Sequence, residues 1–339
     1  MKRLRVKNLH QKMTSTIAAS PRIAVLIPCY NEELTIATVV SDFREQLPAA
    51  DIYVFDNNST DKTVESATQA GAIVLREPRQ GKGFVIQTMF RIVEADFYVM
   101  VDGDATYPAA EVHRLLSPVI ADEADMVVGS RLHRDTRSEF RHINRWGNRL
   151  VLGTLNSIFK VQLTDILSGY RSFNRKFVKD LPLFGGGFEI ETELTIKAIA
   201  RGWRIIEIPT TLVARPEGSH SKIKFFRDGT IILNTVLALF RDYKPLTFFG
   251  SVGLLLVFVT LVPEIIIAIR LITSGVTTNL LWVVFLVGLS LTGVLLIAVG
   301  LVLHTIVRRF QELEHTLQVR HHDVGSSLKS SSTGTSDES

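Results

Sequence analysis

Asp102-Gly-Asp104 stands at the end of the apolar run Phe97–Val101. Two hard oxygen donors separated by a flexible glycine can coordinate Mg2+ or Mn2+, directly or through water, while the ion also binds a diphosphate. A solvated acidic turn is the plainer use of the same residues. Two more polar clusters follow apolar runs in the same way: Pro28-Cys-Tyr-Asn-Glu32 after Ile23–Ile27, and Asp56-Asn-Asn-Ser-Thr-Asp61 after Ile52–Phe55. A carboxylate at a strand end, such as Asp56, can accept hydrogen bonds from a nucleobase or ribose. Asn31 and Asp61 are also suited to capping the helix that follows.

The elements that must position these groups are short β-branched runs alternating with helical patterns: Ile23–Ile27, Ile52–Phe55, Ala72–Leu75, Phe97–Val101 and Met126–Val128. The intervening segments are long enough for crossover helices, which predicts an α/β domain with a mostly parallel sheet covered on both faces. Ligands of such sheets collect beyond the carboxyl ends of the strands, where all three polar clusters fall. Gly81-Lys82-Gly83 is not a phosphate loop of the Walker A kind, because Arg76 takes the upstream glycine position and Gly83 replaces Ser or Thr. Lys82 either approaches a nucleotide or stands where glycines let a helix start. No G-x-G-x-x-G fingerprint follows the first strand, which disfavours a dinucleotide oxidoreductase.

The last third of the chain is of another kind. Leu246–Ile269 and Leu280–Leu303 are 24-residue apolar stretches, each ~36 Å long as a helix and enough to cross a bilayer. The first carries Pro263 and Glu264 near its far end, and Thr273–Asn279 joins the two as a short polar link. A composition of 46% hydrophobic residues in 339, with positive mean hydropathy, suits one soluble domain plus a membrane module. The expected division is a basic segment 1–20, a catalytic domain 21–222, an amphipathic interfacial segment 223–245, a two-helix transmembrane hairpin 246–304 and a tail 305–339 with a disordered Ser/Thr/Gly-rich end. In the interfacial segment Phe225, Ile232, Leu233, Val236 and Phe240 can share one helical face. The first twenty residues lack the apolar core of a secretory signal. Arg241, Lys244, Arg308 and Arg309 beside the hairpin outweigh Arg270 in its link, so the domain and both termini are expected in the cytoplasm. Cys29 is the sole cysteine, which excludes an intramolecular disulfide. A net charge of +4 without a basic, aromatic stripe argues against nucleic acid as a partner.

Taken in order, Pro28-Cys-Tyr-Asn-Glu32, Asp56-Asn-Asn-Ser-Thr-Asp-Lys-Thr63, Gly81-Lys-Gly83, Asp102-Gly-Asp104, Gly129-Ser-Arg131, Asp165-Ile-Leu-Ser-Gly-Tyr-Arg171 and the basic Arg215–Lys222 segment resemble a known family. It is the membrane-associated polyprenyl-phosphate glycosyltransferases of glycosyltransferase family 2, which include dolichyl-phosphate mannose synthase and bacterial GtrB-type enzymes. The resemblance implies a GT-A-type Rossmann-like fold in which Pro28, Tyr30, Glu32, Asp56 and Lys82 hold the nucleotide. It implies further that Asp102 and Asp104 hold the metal on the diphosphate, and that Arg131, Arg215 and Lys222 bind phosphate. Asp165 is expected to position the acceptor or an arginine, with Arg145, Ser168 and Arg171 as further acceptor contacts. Two departures stand out: Thr106 occupies the position where many relatives place a glutamine near the metal, and the Arg215–Lys222 loop is one residue longer than the common pattern.

Chemistry supports the same reading. A polyprenyl phosphate is anionic near neutral pH, so its oxygen can attack an anomeric carbon without a dedicated base. The harder tasks are stabilising the departing nucleoside diphosphate and holding two anions together, which a divalent ion and arginines can do. Direct displacement inverts the anomeric centre and gives a β-linked lipid sugar from an α-linked donor. Asp56-Asn-Asn-Ser and Gly187–Glu193 look more like the UDP-sugar branch than the GDP-mannose branch, so UDP-glucose or UDP-N-acetylglucosamine is the expected donor and GDP-mannose the alternative. A processive polysaccharide synthase lacks support, because Arg145-Trp146 has no Q-x-x-R-W context. A noncatalytic sugar-nucleotide-binding subunit would have no need of both Asp102 and Asp104. The sequence leaves the oligomeric state open, with a homo-oligomer (dimer or tetramer) through pairing of the membrane modules as one option.

Overall fold

The structure, a computed structural model, describes residues 20–131, 152–153, 156–157, 159–187, 189–216, 225–274 and 279–332. The chain divides into two compact units, Met1–Val236 and Leu237–Ser339.

The first unit is a seven-stranded sheet in the order β3-β2-β1-β4-β6-β5-β7. Its elements are β1 (Ile23–Cys29), α1 (Ile36–Gln46), β2 (Asp51–Asp56), α2 (Thr63–Gln69), β3 (Ile73–Arg76), α3 (Lys82–Ile92) and β4 (Phe97–Met100). A 3-10 turn (Ala109–Glu111) then leads to α4 (Val112–Ile120) and β5 (Met126–Ser130). The unit continues through β6 (Arg171–Asn174), α5 (Arg175–Asp180), α6 (Ile190–Ala200) and β7 (Ile205–Pro209). All five strands expected from the sequence are present, and all are parallel where they pair with one another. The two further strands carry charge within short runs, which hides their β pattern. Arg171 opens β6, and Glu207 interrupts β7.

Side chains alternate between the two faces, as strand geometry requires. Val25, Ile27 and Cys29 of β1 join Ile36, Val39 and Phe43 of α1 and Leu115, Leu116 and Val119 of α4 in one apolar layer. Ala24 and Leu26 join Ile86, Met89 and Phe90 of α3, Phe177 of α5 and Ile190 and Leu194 of α6 in the other. A sheet covered on both faces explains its continuous apolar strands. Strand β6 runs antiparallel to both β4 and β5, whereas β7 is parallel to β5. The reversal of β6 brings the segment before Arg171 to the edge where β1, β2, β4 and β5 end. The exit of β7 lies at that edge too.

In the second unit, α8 (Pro245–Ser274) and α9 (Leu280–Ser332) form an antiparallel pair following α7 (Phe225–Tyr243). Pro245–Thr273 and Leu280–Leu313 are long and apolar enough to cross a membrane. Glycines permit a close approach: a Cβ on Gly253 would lie 2.4 Å from the Gly293 carbonyl oxygen, and one on Gly293 would lie 2.7 Å from that of Gly253. Composition alone predicts an unstructured end from Gly325, yet α9 is helical through Ser332. Extending a helix nucleated in a long apolar span fixes only one residue per added hydrogen bond. In α7 the covered face runs through Ile232, Val236 and Phe240, whereas Leu233, expected on it, is exposed with Ile231 and Leu237.

Candidate active site

The end of β4 places Asp102 among three other elements. Its Oδ1 accepts from Lys82 Nζ at 2.6 Å, and the same ammonium reaches Glu191 Oε1 at 2.5 Å. Lys82 opens α3 after Gly81, whose φ of +139° is a conformation open to glycine. A Cβ on Gly81 or on Gly83 would fall 2.1 Å from the carbonyl oxygen of Gly186 or Gly185 respectively. These glycines therefore serve close backbone packing, and the Gly83 amide donates to the Gly186 carbonyl at 3.1 Å. Burial works against the Lys82 charge, but Asp102 and Glu191 more than reverse this and hold its pKa above the ordinary lysine value.

Asp104 is fixed on three sides. Its Oδ1 accepts from the Thr106 amide (3.1 Å) and hydroxyl (2.6 Å), and its Oδ2 accepts from the Arg215 guanidinium. Ala105 between them has φ of +57°, an uncommon conformation for a residue with a Cβ, imposed where the carboxylate must turn back on its own chain. Thr106, the sequence's further candidate ligand for the metal, thus orients Asp104 by donating both its amide and its hydroxyl proton to that carboxylate. Arg215 arrives on the chain leaving β7, which is tied down where the Val213 amide donates to the Thr106 carbonyl (2.9 Å) and Thr211 donates to Glu111.

A third group comes from β5 and the reversed approach to β6. Arg131 forks onto Asp165, with Nε 2.8 Å from Oδ2 and an Nη 3.1 Å from Oδ1, and its amide adds a third bond. Burial pushes the Asp165 carboxyl up, and the Arg131 guanidinium and amide overcome this, leaving its pKa below the usual carboxylate value. Burial also opposes the Arg131 charge, but Tyr107, Asp165 and Asp102 together raise its pKa. Asp165 therefore orients the Arg131 guanidinium, and its lowered pKa makes it a poor proton acceptor. The Glu207 carboxylate receives the Thr164 and Asp165 amides and so holds this turn.

Asp56, nearly fully buried at the end of β2, caps its own turn by accepting from the Ser59 amide (3.1 Å). Its neighbour Asn57 links the turn to the Lys82 loop, donating to the Glu77 and Arg79 carbonyls and accepting from the Gly81 amide at 2.7 Å. Pro28 and Glu32 are half-buried and Tyr30 is exposed at the end of β1. The Glu32 amide donates to Thr63, tying the first and second clusters together.

Two expected acceptor contacts are buried beneath the site. Ser168 and Arg171 are fully buried, out of reach of an incoming ligand. Ser168 donates to the Gly129 carbonyl at 2.6 Å. Arg171 donates to the carbonyls of Ser168, Ile166 and Glu191 and to the Thr195 hydroxyl. It clamps the Asp165–Gly169 turn to α6 and is a structural residue. Arg145 and Lys222 fall outside the described residues.

Glu191, Tyr107 and Gly169 are at the site without having been marked individually by the sequence. Tyr107 receives the Gly169 amide at 3.2 Å, and Gly169 lies against Asp102. A glycine before a Tyr-Arg pair was the only local signal for the latter.

A hard divalent ion suits this donor set. Among the described residues no group of three His, Cys, Asp or Glu could hold a metal by itself. An Mg2+-type ion, however, commonly uses one or two carboxylates with substrate phosphates and water. Both Asp102 and Asp104 already face cationic heads, so each carboxylate points where positive charge is stabilised. Asp102 and Asp104 would hold the ion, with Lys82, Arg131 and Arg215 around it to receive phosphate oxygens.

Residues 24–181 match Glycosyl transferase family 2. Glycosyltransferase AglJ of Haloferax volcanii is 34% identical over 300 residues, which cover 86% of this chain and 98% of that one. The chain belongs to glycosyltransferase family 2. A dolichyl-phosphate hexose transferase of the same organism is 26% identical over 63% of this chain and 92% of its own length. Among solved structures, glucosyl-3-phosphoglycerate synthase from Mycobacterium tuberculosis, in complex with Mn2+, UDP-glucose and phosphoglyceric acid, superposes with a TM-score of 0.56. It is 24% identical and covers 65% of this chain and 80% of that one, a likeness of fold. This family 2 member is accordingly a glycosyltransferase with a GT-A-like domain.

Proposed function

We propose that the protein transfers a single sugar, with inversion, from a nucleotide diphosphate-sugar to polyprenyl phosphate at the cytoplasmic membrane face, using Mg2+ or Mn2+. UDP-glucose and UDP-N-acetylglucosamine are the favoured donors. The observation that carries the reading is the convergence of Asp102 and Asp104 with Lys82 and Arg215, beside the Arg131–Asp165 pair. Two carboxylates suit a diphosphate-borne cation, and three basic side chains suit the phosphates of donor and acceptor.

Each side chain then has a task. Asp56 and Pro28 line the nucleoside end, and Lys82 and Arg215 meet diphosphate oxygens once Asp102 and Asp104 turn from them to the cation. Arg131, held rigidly by Asp165, receives the acceptor phosphate in its planar fork and brings its oxygen in line with the anomeric carbon. A bound divalent ion would neutralise charge developing on the leaving diphosphate. The bond from the anomeric carbon to the donor phosphate oxygen breaks as the bond to the acceptor phosphate oxygen forms, with no proton transferred.

The lipid acceptor is supported by the two apolar helices on the same chain, by the exposed Ile231, Leu233 and Leu237 of α7, which suit an interfacial helix, and by the name of the dolichyl-phosphate hexose transferase relative. The test is to incubate purified protein with undecaprenyl phosphate, Mg2+ or Mn2+ and a panel of nucleotide sugars, and to identify lipid products by mass spectrometry. A singly glycosylated polyprenyl phosphate is expected. No lipid product with any donor would sink the proposal, and a product unaffected by Asp104→Ala would sink the metal assignment.

A further inference from the structure

We infer that Glu191 is a positioning residue for cation binding: it retains the Lys82 ammonium when Asp102 turns from that ammonium to a divalent ion. This rests on Asp102 and Asp104 being the metal carboxylates. One ammonium lies between two carboxylates, 2.6 Å from Asp102 and 2.5 Å from Glu191. The three side chains differ in access: Asp102 is 27% exposed, Lys82 14% and Glu191 4%. Asp102 is therefore the partner that faces a ligand, and Glu191 is the one that stays behind.

The physical problem is competition. An ammonium with a single carboxylate partner contests that carboxylate with any arriving cation, and losing the contest leaves a buried charge without a partner. Glu191 removes that penalty, because Lys82 keeps one carboxylate throughout. An ammonium has three donors, so Lys82 held by Glu191 still has protons to offer a diphosphate oxygen. Glu191 is itself immobile: its carbonyl receives Arg171 and the Thr195 hydroxyl, which fixes the first turn of α6. The adjacent loop is held as well, since Glu193 accepts from the Phe184 and Gly185 amides while the Gly185 and Gly186 carbonyls pack on the start of α3.

The experiment measures Mn2+ alone binding to the full chain in detergent, from the electron paramagnetic resonance signal of free Mn2+. It compares wild type, Glu191→Gln, Lys82→Met, the double variant and Asp102→Asn. Glu191→Gln is expected to raise the Mn2+ Kd about tenfold, and Lys82→Met to lower it by removing the competitor. In the Lys82→Met background the Glu191→Gln penalty shrinks by about threefold or more, since coupled residues are non-additive. An equal penalty in both backgrounds would assign the effect to general field or fold, and no penalty would overturn the inference outright. Circular dichroism melts accompany each variant. Glu191→Asp, one methylene shorter, replaces the glutamine variant in the same cycle if the latter does not fold. Wild type that binds Mn2+ neither alone nor with UDP present overturns the metal reading and this inference with it; where UDP is needed for binding, the same cycle is run at fixed UDP. Binding lost in Asp102→Asn but untouched by Glu191→Gln overturns this inference alone.

Discussion

The backbone of Gly169 lies directly against the Asp102 carboxylate, so close that a Cβ at position 169 would meet Oδ2 at 2.3 Å and Oδ1 at 2.7 Å. The turn before β6 is thus the floor under a carboxylate at the end of β4, and its shape decides where that carboxylate points.

Gly169→Ala is expected to push Asp102 aside while leaving the sheet intact. A misplacement on the order of 1 Å costs roughly 100-fold in rate when it falls on a positioned group. The check is turnover of the lipid-sugar assay beside a thermal melt: kcat falls about 100-fold, and the melt moves far less than for a core substitution. A fully active Gly169→Ala enzyme would show that Asp102 tolerates displacement.

Arg131→Ala should destabilise as well as inactivate. Asp165 is 1% exposed, and removing its partner strands a buried carboxylate, which costs about 3 kcal/mol or more. Arg131→Lys keeps the charge without the fork, so it should recover part of the stability and little of the turnover. Denaturation midpoints and kcat measured on the two variants separate these contributions.

Glu77 gives a pH signature outside the reacting centre. Hydrogen bonds from Arg79, reinforced by the Thr88 hydroxyl and opposed by burial, hold its pKa down to about 2. A depressed carboxylate pKa stabilises the fold above its unfolded value near 4.5 and loses that contribution as pH falls towards 2. Glu77→Gln should therefore cost roughly 2 kcal/mol near neutrality, with the half-exposed Arg79 limiting the effect. The gap from wild type should close between about pH 4 and pH 2. Melting curves across pH test this, and a gap that persists at pH 2 would refute the linkage.

In the apolar hairpin, Gly253→Leu should separate α8 from α9. The added side chain has no room beside the Gly293 carbonyl and Ile297, and small residues are what permit such close helix contact. Thermal stability in detergent is expected to drop, whereas Gly288→Leu, where a Cβ meets nothing within 4 Å, should be neutral.

Much of the site was legible because its chemistry is local. Asp102-Gly-Asp104 and Asp56 lie at the ends of runs whose apolar pattern marks strands, and parallel strands gather their carboxyl ends at one edge. Gly81 and Gly83 were legible as glycines but not in purpose, since the Gly185 and Gly186 carbonyls that require them lie about a hundred residues away. Arg171 was misread for a related reason. An arginine beside an expected phosphate site suggests ligand binding, and only its complete burial with its hydrogen bonds to three carbonyls and the Thr195 hydroxyl shows a clamp.

By itself the sequence determined the layered α/β domain, the two apolar helices, the carboxylate pair and the family, because periodicity and short ordered motifs are properties of neighbouring residues. The tertiary structure alone decided which cation faces which carboxylate: Lys82 between Asp102 and Glu191, Arg215 on Asp104, and Arg131 on Asp165. Those pairings depend on strand β6 running against its neighbours and on the order in which the sheet assembles. Neither is encoded in local spacing, and both are set by burying the two apolar faces at once.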